Sequence, residues 1–363
     1  MLVHDHVVTD FLCNLRCKYC PCEVTLMKRE GDLVMMKGSP FGPAYREPVA
    51  AALSRSNDVV SVISQKLDAT VLKLSGGEIF LLPEFIDALP TLARKYAVVQ
   101  ILTNGTLITD RIIDSLSAIK NIHVQISLDG HLIEMNRYRF RNSHFLSAIL
   151  GTIQRISSAG IPIEVNSVLT NANTERWFEF AERVSQHISA GTVYPFPVRS
   201  HPELLPSKRD VGQFEEMFLG SYLELRPVLP PRAYFEELIR FMRSGKRTRG
   251  CHVPHAVVGS SGDGRIDACT CGPVKNLGNV LAEGAGDDPV EKIGKDRCYT
   301  DVLKADLSPV CCSDCFTHYD VINLFIEGQV SVAELMVMPF FAVSGLIEEL
   351  TRIKAEMDRR TAH

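Results

Sequence analysis

From residue 6 to about 200 this chain alternates between short β-rich runs and helix-like stretches, and that alternation leaves few folds open to it. The runs are "HVVTDFL" (6–12), "TVLKLS" (70–75), "AVVQIL" (97–102), "IHVQISL" (122–128), "IPIEVNSVL" (161–169) and "TVYPF" (192–196). Helical patterns fill the gaps at about 50–66, 84–95, 109–119, 143–159 and 174–189, with Thr109-Asp110 and Asn173-Thr174 read as caps. Strands alternating with helices predict an α/β fold with a parallel sheet. Six strands suit a partial barrel or a doubly wound sheet, and both place their sites at the carboxyl ends of the strands. The unusual residues fall there: a cysteine loop after the first strand, "SGGE" (75–78) after the second, "TNGT" (103–106) after the third and "SLDG" (127–130) after the fourth.

The cysteine loop reads "CNLRCKYC", spaced Cys13-x3-Cys17-x2-Cys20 with Tyr19 before the last thiol. Of eleven cysteines, four lie between 13 and 22 and seven between 251 and 315. Nothing in "MLVHDHVVTDFLC" resembles a secretory signal, and "LMVMPFFAVSGLI" is too short and too Pro-interrupted to span a bilayer, so a cytoplasmic chain is expected. Clustered thiols in a reducing compartment favour metal, either zinc or iron–sulfur clusters. Three thiolates leave the fourth position of a cluster open, as in a catalytic site. Zinc would need a fourth protein ligand, for which His4 and His6 are candidates. A net charge of −4 gives no footprint for nucleic acid, and "KRTR" (246–249) reads as a solvated turn. Residues 21–48 form a long connection, either functional or a surface insertion.

The Cys-x3-Cys-x2-Cys loop with its aromatic residue resembles that of the radical S-adenosylmethionine (radical SAM) superfamily, and "SGGE" and "SLDG" are similar to further motifs of that family in the same order. The resemblance covers roughly residues 5–200. It implies a partial (β/α)6 TIM-like barrel in which Cys13, Cys17 and Cys20 hold a [4Fe-4S] cluster whose fourth iron binds S-adenosylmethionine. It also implies that Tyr19, Gly76, Gly77 and Glu78 flank the cofactor, with Glu78 on its ammonium group. Ser127 and Asn166 would meet the ribose, and Asn166 alternatively the methionyl part. Arg139 would pair with the cofactor carboxylate, with Arg137 and Arg141 as competitors.

In the second cysteine region, "VVGSSGDGRIDAC" reads as a hairpin ending in Cys269, and Cys312-x2-Cys315 as a two-ligand loop. Cys251 and Cys269 would complete a four-thiolate site that zinc would also satisfy. With the first motif in place, Cys251, Gly264-x4-Cys269, "LGNV" (277–280) and Cys312-x2-Cys315 look like the SPASM or twitch extension of the same family. No cysteine follows Cys315, which favours the shorter twitch form with one auxiliary [4Fe-4S] cluster on Cys251, Cys269, Cys312 and Cys315. Cys311 competes with Cys312, Cys22 reads as a bystander, and Cys271 and Cys298 are unassigned. The expected organisation is a core barrel over 1–200, a helical linker over 201–250, a small cysteine-rich hairpin/helical domain over 251–330 and a helical segment over 331–363.

The resemblance implies reductive cleavage of S-adenosylmethionine to a 5′-deoxyadenosyl radical, which abstracts hydrogen from the substrate. A nearby auxiliary cluster would then accept an electron, making the reaction oxidative. Redox-neutral radical chemistry, group transfer and a metal-stabilised binding module are the alternatives. Substrate candidates are a small molecule or a peptide. Only twelve residues precede Cys13, so a leader-binding domain ahead of it is not expected, which leans toward a small molecule or leader-free peptide. An electron donor such as flavodoxin or ferredoxin is the expected partner; nucleic acid and membrane are not. Tyr194 and Arg199 are candidate substrate contacts, and Asp267 and His252 candidate bases.

Overall fold

The computed structural model describes residues 1–9, 12–20, 27–30, 33–36, 45–199, 201–270, 276–282, 288–297, 299 and 313–361. Six parallel strands form the core, β1 (Val3–Thr9), β5 (Val71–Gly76), β6 (Val98–Thr103), β7 (Ile122–Ser127), β8 (Ile163–Leu169) and β9 (Gly191–Pro197), in that spatial order. The first strand begins three residues before its expected start, because Val3 is already in register with Val71. β8 is buried along its whole length, as expected of a parallel strand covered on both faces.

The crossovers contain α1 (Val49–Lys66), α2 (Leu89–Ala93), α3 (Asp110–Ser117), α4 (Ser143–Ser158) and α5 (Trp177–Ser185). Thr109 caps α3 by accepting from the amide of Ile112. Asn173 does not cap: its amide nitrogen donates to the carbonyls of Asp129 and Val168 at 2.8 and 2.9 Å, tying the β7 and β8 loops together. α6 (Lys208–Leu225) and α7 (Arg232–Ser244) pack on α5 through Trp177, Phe178, Phe214, Phe218 and Phe235. The long connection after the cysteine loop contains an unexpected three-stranded antiparallel sheet, β2 (Met27–Glu30), β3 (Leu33–Met36) and β4 (Tyr45–Pro48).

The expected hairpin is present as β10 (Val257–Ser261) and β11 (Arg265–Asp267), with Gly264 at φ +93°, followed by β12 (Asn276–Asn279). β10 pairs in parallel with the free edge of β1, so the hairpin continues the barrel sheet. Behind that junction His4 bonds Tyr96 and Ser260, and His6 bonds Ser260 and Ser56, at 2.7–3.1 Å. Both imidazoles are buried and used up in this hydroxyl chain, so neither stands as a zinc ligand. "KRTR" is likewise no solvated turn. Arg247 is buried against Asp320, and Arg249 bonds Glu237 and Glu327, because the run docks on the α7 face and the C-terminal segment.

That segment carries α8 (Val253–Ala256) before the hairpin, then α9 (Asp320–Ile326), α10 (Val332–Leu335) and α11 (Leu346–Thr361). It closes the inner face of the sheet: Tyr319 donates to Asp5 at 3.1 Å, Lys73 lies 2.7 Å from His318, and Tyr194 donates to the Met338 sulfur at 3.0 Å. No helix among the described residues is long and apolar enough to cross a membrane.

The carboxyl end of β5 sets the position of the cysteine loop. A Cβ on Gly77 would stand 2.2 Å from the Leu12 carbonyl oxygen, and the Glu78 amide donates to that oxygen at 2.6 Å. Gly77→Ala is expected to leave the barrel folded by far-UV circular dichroism but to displace the loop, with iron incorporation lost on anaerobic reconstitution. Undiminished iron would show that this crossing does not hold the loop. A second expectation concerns pH. Burial lowers His6 to about 3, so the unfolded chain binds more protons between that value and the ordinary 6.5. The contribution is complete above pH 6.5 and is lost as pH falls toward 3. Urea midpoints should drop on acidification across this window, less steeply for His6→Asn than for the native chain.

Candidate active site

Cys13, Cys17 and Cys20 are half-buried on the loop after β1, with Leu12 and Leu15 anchoring it in the core. The Leu15 amide points at the Cys13 sulfur (3.4 Å), and the Asn104 amide nitrogen stands 3.9 Å away. Burial pushes the Cys13 thiol up and the Cys17 thiol up to about 11, and the charge of Cys20 bears on both. Thiolates in such a site need compensating positive charge, which an iron–sulfur cluster's metal ions supply. Among the described residues no three His, Cys, Asp or Glu side chains converge on a single ion. A cluster requires no such convergence, because each thiolate takes its own iron.

Glu78 is 1% exposed, and its carboxylate accepts from the Phe80 amide (3.2 Å), the Thr103 hydroxyl (2.8 Å) and the Asn104 amide (2.7 Å). Burial raises its pKa and these three donors oppose the rise. Through Asn104, whose side chain bonds Asn14 at 2.8 Å, the "TNGT" loop is fastened to the cysteine loop. Gly76 is in register with Thr9 at the end of the same pair of strands.

Ser127, the last residue of β7, is in register with Asn166 in the middle of β8. The Asn166 side-chain oxygen is buried with no partner in the structure, an orphan acceptor of the kind a bound donor would satisfy. Of the three neighbouring arginines, Arg137 and Arg141 are exposed and Arg139 is buried. The Arg139 Nε and Nη2 donate to Asp129 at 3.2 and 3.1 Å, and its guanidinium lies 5.5 Å from the Tyr19 ring centre. Asp129 also accepts from the Tyr19 hydroxyl and the Val168 amide. Asp129 is the organiser that sequence reasoning passed over, although "SLDG" contains it. Its carboxylate holds the aromatic of the cysteine loop and a buried arginine at once. Removing one member of such a buried pair typically costs about 3–5 kcal/mol, because the other charge is left without its partner.

Cys22 of the first cysteine region and Cys271, Cys298, Cys311 and Cys312 of the second lie outside the described residues. The structure brings Cys251 and Cys315 to one cation, Arg247, whose pKa their charges help raise after that of Asp320. Arg247 also donates to the Cys315 carbonyl at 3.1 and 2.8 Å. Cys315 accepts from Arg199 (3.4 Å), and the Asn323 amide nitrogen stands 3.9 Å from the Cys251 sulfur. Cys269 is buried at the end of the hairpin. Arg199 therefore stands on Cys315. The His252 amide donates to Asn323, and burial lowers its imidazole to about 4. Asp267 is paired with Arg265 at 2.9 Å on the hairpin. Of these four candidates only Tyr194 belongs to the inner face of the barrel.

Comparison with known proteins agrees with this arrangement. The family model described as "Radical SAM superfamily" matches residues 9–184. The mycofactocin maturase MftC of Mycobacterium tuberculosis is 24% identical over 178 residues, 49% of this chain and 40% of that protein. The sporulation killing factor maturation protein SkfB of Bacillus subtilis is 27% identical over 185 residues, 49% of this chain and 38% of that protein. The chain thus spans less than half the length of these curated relatives. Among solved structures, native anSMEcpe with bound AdoMet superposes with a TM-score of 0.58 at 17% identity, over 84% of this chain and 83% of that one. Streptococcus suis SuiB bound to S-adenosylmethionine gives 0.55 at 14% identity, over 84% and 68%. The sheet is that of the radical SAM partial barrel, and residues 9–184 of this chain are a radical SAM superfamily domain.

Proposed function

We propose that this chain is an enzyme that uses S-adenosylmethionine and a [4Fe-4S] cluster on Cys13, Cys17 and Cys20 to oxidise a peptide substrate, in the maturation of a peptide-derived natural product. The observation that carries this is the cysteine loop itself, pinned across Gly77 at the carboxyl end of β5, in a sheet whose β8 carries the orphan acceptor of Asn166. The bound groups supply reductive cleavage of the sulfonium and hydrogen abstraction. The protein supplies position. A carboxylate has about four acceptor sites; three on Glu78 are filled by the chain, and the fourth receives the cofactor's ammonium group beside Gly76 and Gly77. Ser127 and Asn166 receive the ribose. Arg139, already spent in part on Asp129, presents its remaining donors to the cofactor carboxylate, and Tyr19 keeps that guanidinium in plane.

The oxidative direction rests on Cys251, Cys269, Cys312 and Cys315 as ligands of one auxiliary [4Fe-4S] cluster. Arg199, beside Cys315, favours electron acceptance by adding positive charge. A peptide substrate is supported by the relatives, one a mycofactocin maturase and one a sporulation killing factor maturation protein, and by SuiB, whose structure is also known bound to the precursor peptide SuiA. The cluster on the first loop draws its electron from an external one-electron donor such as flavodoxin or ferredoxin.

Anaerobic reconstitution is expected to give about eight iron atoms per chain, for two clusters. The dithionite-reduced protein should form 5′-deoxyadenosine from S-adenosylmethionine. Cys17→Ala should abolish that product. Cys315→Ala should keep it while iron falls to about four. Absence of 5′-deoxyadenosine from fully loaded protein would defeat the radical reading. About four iron atoms in the native chain would remove the auxiliary cluster and leave redox-neutral chemistry in its place, and full iron in Cys315→Ala would remove Cys315 from its ligands.

A further inference from the structure

The inner face of the barrel holds a polar layer that neither cluster uses. Asp5, Lys73, Gln100 and His123 run in register across β1, β5, β6 and β7, and Gln125, Glu164 and Thr192 continue it across β7, β8 and β9. Glu164 sits in the middle of this layer. One carboxylate oxygen accepts from the Gln100 amide at 3.4 Å; the other is buried with no partner, as is the side-chain oxygen of Gln125 in register beside it.

Two small cavities meet at this carboxyl, each with room for about one water molecule. Gln100, Glu164 and Phe340 form the shared wall. The outer cavity runs to Pro162, Thr192 and Pro339 at the amino ends of β8 and β9, where both prolines are half-exposed. The inner cavity runs to Tyr194 and His318. His318 shares a 2.7 Å hydrogen bond with Lys73, and Tyr194 is in register with Asn166, one step from the cofactor end of the strands. A buried acid with an unmet oxygen, set between two water-sized spaces, has the layout of a proton relay.

We propose that Glu164 is the proton exit of the barrel, passing protons from the inner cavity to water at the amino ends of β8 and β9. This rests on the oxidative reading above. Oxidation of a carbon-centred substrate radical to an unsaturated product releases one electron and one proton. The electron goes to the auxiliary iron–sulfur cluster. The proton is taken up by the Glu164 carboxylate through the inner water and handed to the outer one, which restores the carboxylate. The groups facing Glu164 are Lys73 from β5, Gln100 from β6, His123 and Gln125 from β7, Tyr194 from β9, Tyr234 from α7, and His318 and Tyr319 from the C-terminal segment. Burial raises the acid to about 7, against the pull of Lys73 and the Gln100 amide, so both protonation states are accessible near neutrality. Burial also lowers His123 to about 4, which leaves that ring neutral and out of competition.

Infrared difference titration of the reconstituted full-length chain tests this. The expected result is a protonated carboxyl stretch that disappears with a midpoint near pH 7, is absent from Glu164→Gln, and shifts at once on transfer to D2O. Thr192→Ile, which fills the outer cavity, should keep the band and its midpoint but slow the D2O shift. A band that does not titrate near neutrality, exchanges only as slowly as the core amides, or exchanges equally fast in Thr192→Ile would overturn the proposal. 5′-Deoxyadenosine formation by the same native preparation reports the radical chemistry separately. Its presence beside a sealed Glu164 rejects the exit alone, and its absence rejects the function on which the exit depends.

Discussion

The buried carboxylate of Glu78 is the fastening on which the cofactor end of this barrel depends. It sits where β5 ends and accepts hydrogen bonds from the backbone of its own turn, from Thr103 at the end of β6 and from the first amide beyond it. Its own amide meanwhile holds the Leu12 carbonyl. Three consecutive strand ends are thereby joined through one residue, and the cysteine loop is stretched over the gap where Gly77 has no side chain. Desolvating a carboxylate is costly, and the cost is offset here by three directed donors. The same donors give the loop that carries Cys13, Cys17 and Cys20 a defined place.

Asp129 performs a related task on the other side of the loop. It is one acid bonded to Tyr19, Arg139 and a β8 amide, so the aromatic that precedes Cys20 is tied to the ends of β7 and β8. The second cysteine region repeats the device with the opposite sign. Arg247, neutralised by Asp320, holds the Cys315 carbonyl, and the hairpin that leads to Cys269 is fixed by parallel pairing with β1. Both cysteine regions are therefore borne by the same strand. The His4–Ser260–His6 chain behind it keeps the hairpin and the barrel in register.

Much of this was legible in one dimension. All six core strands and the helices between them followed from hydrophobic runs and caps, because a doubly covered parallel strand must be a short continuous apolar run. Asn173 was misread as a cap, since its offset from the next helix looks the same whether its amide turns forward or back to Val168. "KRTR" was misread as solvated because the carboxylates that cover it, Glu237, Asp320 and Glu327, come from two other elements.

The sequence by itself determined the chemistry available to this chain: the spacing of Cys13, Cys17 and Cys20, the glycines and acid after the second strand, and the strand order that brings them to one end. Those properties depend on local spacing and periodicity, which survive in a string of letters. Only the tertiary structure decided why Gly77 must be glycine, which of three arginines is buried, and that Lys73 meets His318 across 245 residues to form a polar floor around Glu164. These are contacts between strands and segments remote in sequence, and their energies come from desolvation and directed hydrogen bonds that exist only once the barrel has closed.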